Sequence, residues 1–415
     1  MVDERRLRKY AELAIRVGVN LQPGQPLVVG YWRDPVLPAH VDFARMLCAT
    51  AYDVGASFVQ VEWGDEWWLR ETAGRGSLDL YAARCAAQAE WVARLADAGA
   101  AFLRIPAADP ELFAGVDGVR VARAERVMNE AFNAFNFRRT NDMYRWSLVA
   151  APTQPWADQV HPELARDRRV PALWEDILTC ARADGDDPVS DWKVHLAALR
   201  RRRDWLNALG VREMHYVGPG TDLYITLPAH HRWAAAGHET DAGVPFVANI
   251  PTEEVYTVPL KTGVEGVVAS TLPLNHGGAL ITGIRLRFER GRIVEYSAAQ
   301  GQDALRHIIE TDEGSHYLGE VALVPVDSPI ARRGTLFFNT LFDENASCHV
   351  AIGKAYPLIA GGHTLAREAW AEHGLNDSLV HVDFMIGSPT LRMTARTAAG
   401  SEVPVLENGR WVEEV

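Results

Sequence analysis

With 415 residues, 48% of them hydrophobic and 23% charged, the chain has the composition of an ordinary globular protein and more apolar material than one typical core holds, which points to two domains. A formal charge of −12 and a pI near 5.6 argue against a nucleic-acid partner, which would need a basic face. No segment approaches the roughly 20 apolar residues that cross a bilayer, and the N-terminus lacks the apolar run and small-residue cleavage site of a signal peptide, so no membrane association and a cytoplasmic location are expected.

In chain order, Leu7, Ala11, Leu13, Ala14 and Val17 fall at helical spacing over residues 4–18, and GQPLVVGYW, after the QPG turn, reads as a strand. A helix is predicted over 38–54, ended by Gly55. Then come a strand in SFVQVEW, a long Ala-rich helix in SLDLYAARCAAQAEWVARLADAGA and a third strand in AAFLRIPA. Strands separated by helices of this length predict an N-terminal α/β domain over residues 1–190, a parallel sheet with flanking helices. Beyond it, a helix bearing Arg200–Arg203 leads into MHYVGPGTDLYITL, and strands with Gly and Pro turns take over: EVYTVP, GGALITGIRLRFERGRIVEYSA, GEVALVPV, SCHVAIG and LVHVDFMIG. Residues 191–415 are therefore expected to form an α+β C-terminal domain on a mixed or antiparallel sheet, with Gly291 turning the FERGRIVEY hairpin.

Several familiar patterns are missing. Cys48, Cys85, Cys180 and Cys348 are far apart and make no CxxC pair, so neither a zinc knuckle nor a disulfide framework is indicated; they read as buried thiols. The RRRR run reads as a solvated helix face rather than a phosphate contact. Trp63, Trp67 and Trp68 suit a core or a subunit interface better than a ligand pocket. GHETDA is similar to a zinc-protease helix, but the second histidine would fall at Ala242. There is no GxSxG elbow and no phosphate loop, and VGPGTDL has Leu223 where a dinucleotide fingerprint needs its third glycine. Gly218 and Gly220 mark a turn there instead.

What stands out is a set of ionisable residues in strands that are otherwise apolar. His381 and Asp383 lie two residues apart in LVHVDFMIG, so both project from one face of the strand. Alone, such a pair is more often a hydrogen-bonded structural pair than a metal site. Glu320 interrupts GEVALVPV, and His349 sits in CHVAI with Glu344 before it and Tyr356 after it. In NIPTEEVYTVP, alternation puts Glu254 with Tyr256 on one side and Glu253 with Val255 on the other, one glutamate facing inward and one outward. Each residue has a bland explanation, but their recurrence points to one site. Glu254, Glu320, Glu344 and Asp383 together carry four negative charges, and without cations they would repel one another. Two divalent ions balance them, and mixed carboxylate and imidazole donors suit zinc, cobalt, manganese or magnesium without choosing among them.

NIPTEEVYTVP, GEVALVPVDSPI, LFDENASCHVAIGKAY and HVDFMIGS resemble blocks of the M29 metallo-aminopeptidases, the aminopeptidase T and aminopeptidase S group. The likeness extends through RWSLVAAPTQPWA, DPVSDWKVHLAAL and GTDLYITL. The resemblance implies that Glu254, Glu320, Glu344, His349, His381 and Asp383 are metal ligands, with Glu320 bridging two ions, and that Tyr356 stands beside them. It also implies an aminopeptidase that hydrolyses the first peptide bond of short peptides with a free N-terminus, and a homodimer enclosing a cavity. In that reading two ions share and activate a water, one of them also holding the substrate's α-amino group, and Glu254 or Glu320 relays the proton. Tyr356 is either a donor to the oxyanion or a buried phenol bonded to a backbone carbonyl. The rival readings are a non-haem iron ring-cleaving dioxygenase on a related scaffold, and a non-catalytic peptide- or metal-binding protein.

Overall fold

The computed structural model describes residues 3–32, 34–106, 109, 112–240 and 243–412. The chain divides into two compact units, Met1–Lys193 with Gly237–Pro251, and Val194–Ala236 with Thr252–Val415. Where the sequence suggested a single crossing at residue 190, the chain leaves the first unit, returns for Gly237–Pro251 and leaves again. The end of the GHETDA stretch, Asp241 and Ala242, lies outside the described residues.

The first unit carries a parallel sheet in the order Asn249–Ile250, Trp146–Val149, Ala101–Arg104, Pro26–Val29, Phe58–Val61. Helices connect its strands as the pattern predicts. Asp3 caps Glu4–Leu13, Ser77 caps Leu78–Asp97, and Val41–Asp53 stops just before Gly55, whose φ is +95°. The helix expected over 4–18 is α-helical to Leu13 and widens to a π turn over Ala14–Gly18. Tyr31, Trp32, Phe102, Phe132, Phe135 and Tyr144 pack as an aromatic core, with Trp32 stacked on Phe132 at 3.6 Å between centroids. Trp63 and Trp67 do not join it. They are 53% and 68% exposed beside the edge strand Phe58–Val61, so the core reading of the tryptophan cluster fails. His238 of GHETDA pairs with Asp142 at 2.7 Å and stacks on Phe246, a structural use of that histidine.

Among the described residues, every strand pairing in the second unit is antiparallel. Its larger sheet runs Arg292–Ser297, Arg285–Glu289, Val264–Ala269, Thr221–Thr226, Val211–Gly218, Arg392–Thr397, Glu402–Glu407, Arg410–Trp411. The expected hairpin closes on Arg290 and Gly291, both at positive φ, as a two-residue turn requires. A Cβ on Gly291 would lie 1.8 Å from the Lys261 carbonyl oxygen, so only glycine fits. The smaller sheet runs His381–Met385, His349–Gly353, Leu318–Leu323, Val255–Thr257, Ala234–Ala235. One face of it is apolar: Val321, Leu323, Val350, Ile352, Val382 and Phe384 are all at most 4% exposed. Burying each of the larger side chains contributes about 1.5–3 kcal/mol, which fixes the register and, with it, what the other face displays.

No helix among the described residues is long and apolar enough to cross a membrane.

Candidate metal centre

The register of the smaller sheet assembles the site. Asp383 is opposite Ala351, which is opposite Glu320; His381 is opposite Gly353; His349 is opposite both Met385 and Ala322. Directly opposed residues share a face, so His381, Asp383, His349 and Glu320 all project on the side away from the apolar core. Val255 pairs with Leu323 and Tyr256 with Ala322, which gives the residue before Val255, Glu254, that same side. Ala322, Ala351 and Gly353 between them are small, so the ionisable groups meet over a shallow floor.

Glycine also sets the spacing of the strands. The pairing slips between Leu318 and Glu320, and a Cβ on Gly319 would come within 2.3 Å of the Lys354 carbonyl oxygen. That carbonyl accepts a hydrogen bond from His381 Nδ1 at 2.7 Å, and the Ser347 carbonyl accepts one from His349 Nδ1 at 3.0 Å. Both imidazoles are thereby held as Nδ1–H tautomers with Nε2 turned to the carboxylates.

His349 Nε2 lies 3.4 Å from Glu254 Oε2 and 3.6 Å from Glu320 Oε1. His381 Nε2 lies 3.6 Å from Glu320 Oε2 and 3.5 Å from Asp383 Oδ1. Two groups of three ligand atoms result, Glu254–Glu320–His349 and Glu320–His381–Asp383, and each Glu320 oxygen serves a different group. Glu344, on the turn Glu344–Ala346 that follows Thr340–Asp343, is in neither group, though it is close enough for its charge to be felt by them. Tyr356 is 44% exposed and meets His381 edge-on with ring centroids 5.3 Å apart, so it is not the buried phenol of the alternative reading. Glu253, on the side of the buried Val255, is itself only 3% exposed, so neither glutamate faces outward into solvent.

The electrostatics are those of a site short of positive charge. Burial raises the Glu320 carboxyl above the usual range, against the pull of His349 and His381. Burial, with the charges of Asp383 and Glu254, pushes Glu344 well above it. Burial opposes the charge on His381, but Asp383 and Glu320 raise its pKa to about 10; Asp383, despite its own burial, is drawn down to about 2 by His381. His349 is likewise raised, against burial, by Glu254 and Glu320.

These residues fit divalent ions. Asp383 Oδ1 is buried and has no hydrogen-bond partner. The Nε2-to-oxygen distances of 3.4–3.6 Å exceed a normal hydrogen bond. They approach the separation of about 3.3–3.4 Å between ligand atoms bound tetrahedrally at roughly 2.0–2.1 Å.

Sequence reasoning missed His195 and Asn345. The His195 Nε2–H donates to the Thr252 carbonyl at 2.8 Å, and Asn345 Oδ1 accepts from the Glu253 N–H at 2.8 Å. A histidine on the helix Pro188–Leu209 and an asparagine after a short helix carry no local signal of such a role.

The chain is similar to known proteins over nearly its whole length. A family model described as thermophilic metalloprotease (M29) matches residues 3–411. The aminopeptidase AmpS of Bacillus subtilis (strain 168) is 43% identical over 414 residues, 98% of each chain, and aminopeptidase T of Thermus thermophilus is 40% identical over 409 residues, 99% of each. The solved structure of wild-type AmpT from Thermus thermophilus superposes with a TM-score of 0.90 at 39% identity, covering 99% of this chain and all of that one.

Proposed function

Since this chain belongs to the M29 family of metalloproteases and is an aminopeptidase, we propose that it removes N-terminal residues from short peptides at a dinuclear centre built on the smaller antiparallel sheet of its C-terminal half. The observation that carries the dinuclear reading is Glu320, one oxygen of which faces His349 and the other His381. Glu254 and His349 would hold one ion, His381 and Asp383 the other, with Glu320 between them and Glu344 as a further carboxylate close by. Zinc, cobalt, manganese and magnesium all suit this donor set.

Divalent ions bound there would lower the pKa of a water and polarise the scissile carbonyl. The protein's own groups do the rest. Glu254 or Glu320 takes the proton of the attacking water and delivers it to the leaving amine. The Tyr356 phenol, beside His381, donates to the developing oxyanion. A neutral α-amino group would be a ligand for one of the ions, which would favour cleavage at the chain end. The nearly full-length likeness to enzymes named as aminopeptidases supports this over the dioxygenase and non-catalytic readings. A dioxygenase with one iron would leave Glu254 unused.

The reading extends to a cytoplasmic homodimer. In support, none of the four cysteines forms a disulfide, and Phe58, Trp63, Trp67 and Trp91 are large apolar side chains left exposed on the first unit, as a surface covered by a second copy would be.

The test is to strip the protein with a chelator, restore zinc, cobalt, manganese or magnesium separately, and measure amino-acid release from a peptide panel. Recovery of exopeptidase activity at about two ions per chain supports the proposal. Activity indifferent to chelation refutes it.

A further inference from the structure

The peptide plane between Thr252 and Glu253 is held at both edges by buried side chains from distant parts of the chain. Its carbonyl accepts from His195 Nε2 at 2.8 Å, and its N–H donates to Asn345 Oδ1 at 2.8 Å. Thr252 is 7% exposed, Glu253 3% and Asn345 fully buried, while the His195 side chain is 10% exposed. Asn345 has a second attachment: its Nδ2 donates to the Leu341 carbonyl at 3.0 Å and lies 3.4 Å from Glu344 Oε1. Glu253 Oε2 is 3.9 Å from the same His195 nitrogen that grips Thr252.

A peptide fixed at both its oxygen and its nitrogen cannot rotate about the bonds that flank it, and the next residue along is Glu254. The strand begins only at Val255, so ladder hydrogen bonds do not by themselves aim that carboxylate. We infer that His195 and Asn345 are positioning residues for the Glu254 side of the dinuclear centre: they fix the Thr252–Glu253 peptide and so aim Glu254 at His349. Asn345 additionally steadies Glu344. Neither touches the reacting atoms. The inference rests on the dinuclear reading above and adds that only one of the two ions depends on this clamp, because Glu320, His381 and Asp383 are held by the sheet and by the Lys354 carbonyl.

The experiment is a cobalt(II) titration of chelator-treated protein, reading stoichiometry and visible spectrum in the wild type, His195→Phe, His195→Gln and Asn345→Ala, with circular dichroism to check folding. Glutamine at 195 keeps an N–H for the Thr252 carbonyl; phenylalanine does not. The expected result is two equivalents in the wild type and in His195→Gln. In His195→Phe and Asn345→Ala, one equivalent binds unchanged and the other is weakened by about 10- to 100-fold, with an altered spectrum. Wild-type binding of both ions in His195→Phe and Asn345→Ala overturns the clamp alone. Equal weakening of both equivalents, or loss of folding in both variants, also overturns it, since the two groups would then be supporting the sheet in general. If Asn345→Ala alone fails to fold, the His195 pair decides. A wild type that takes up fewer than two equivalents removes the dinuclear reading itself, and the clamp with it.

Discussion

Replacing Glu320 by glutamine leaves the strand intact and strikes both halves of the centre together. The carboxylate turns Oε1 toward His349 and Oε2 toward His381; an amide keeps one oxygen and presents an N–H donor to the other group. It also removes a unit negative charge shared by both positions. At about 4 Å and an effective dielectric of 20, a pair of unit charges is worth about 4 kcal/mol, and a divalent ion loses at least that. This corresponds to roughly a thousandfold in affinity for each ion. Calorimetric titration of chelator-treated protein should show that Glu320→Gln takes up neither ion at concentrations that saturate the wild type, with peptide cleavage lost in parallel. Metal-free Glu320→Gln should unfold at no lower denaturant concentration than metal-free wild type, because burial already disfavours the charged carboxylate. Two ions bound with native affinity would refute the bridging role. A large loss of stability in the metal-free variant would make Glu320 a structural partner of the two histidines instead.

Chelation should lower the melting temperature of the second unit, unfolding as its own transition, by roughly 10 °C for each ion that had been present at a thousand times its Kd, about 4.1 kcal/mol at 2–4 °C per kcal/mol; scanning calorimetry with and without metal checks this. Tyr356→Phe should fold normally and lose about 10²- to 10³-fold in kcat, and full turnover would remove its role as donor. Gly319→Ala should displace the Lys354 carbonyl that orients His381 and weaken metal binding by about 10- to 100-fold; unchanged affinity in a titration would show that the close approach is unimportant. His40 is buried and burial lowers its pKa to about 4, against weaker support from the Pro152 and Ala151 carbonyls. Its folded value lies below the unfolded one, so the unfolded chain binds the proton first. Stability is complete above about pH 6.5 and falls by about 3 kcal/mol as pH drops to about 4. Denaturation midpoints measured across that range should fall in the wild type and flatten in His40→Phe.

The parts of this protein legible in the sequence are those set by local pattern. Alternating helices and strands gave the parallel sheet, and glycine at Gly291 gave the hairpin. The charged residues inside apolar strands, Glu320, His349, His381 and Asp383, were visible because burial made them anomalous. Glu254 was within reach because strand alternation extends one residue back from Val255. The expectation that one of the two glutamates faces outward fails because both sides of this segment are covered, Glu253 being 3% exposed beside the buried Val255. His195 and Asn345 could not be found at all, because each is an ordinary residue in its own segment and acquires meaning only through a backbone peptide more than 50 residues away from one and 90 from the other. Glu344 stands between these cases: the resemblance selected it, and its charge is felt at the site, yet it belongs to neither three-atom group.

The return of Gly237–Pro251 to the first unit bears on any attempt to dissect the molecule. Asn249 and Ile250 pair with Leu148 and Val149, so a cut near residue 190 would tear a rung from one fragment and leave it dangling from the other. The amino-terminal piece would then present Trp146–Val149 as a bare, sticky rim, an invitation to aggregate. Excising the second unit therefore calls for a replacement loop between Ala236 and Thr252, not merely a pair of scissors at the midpoint.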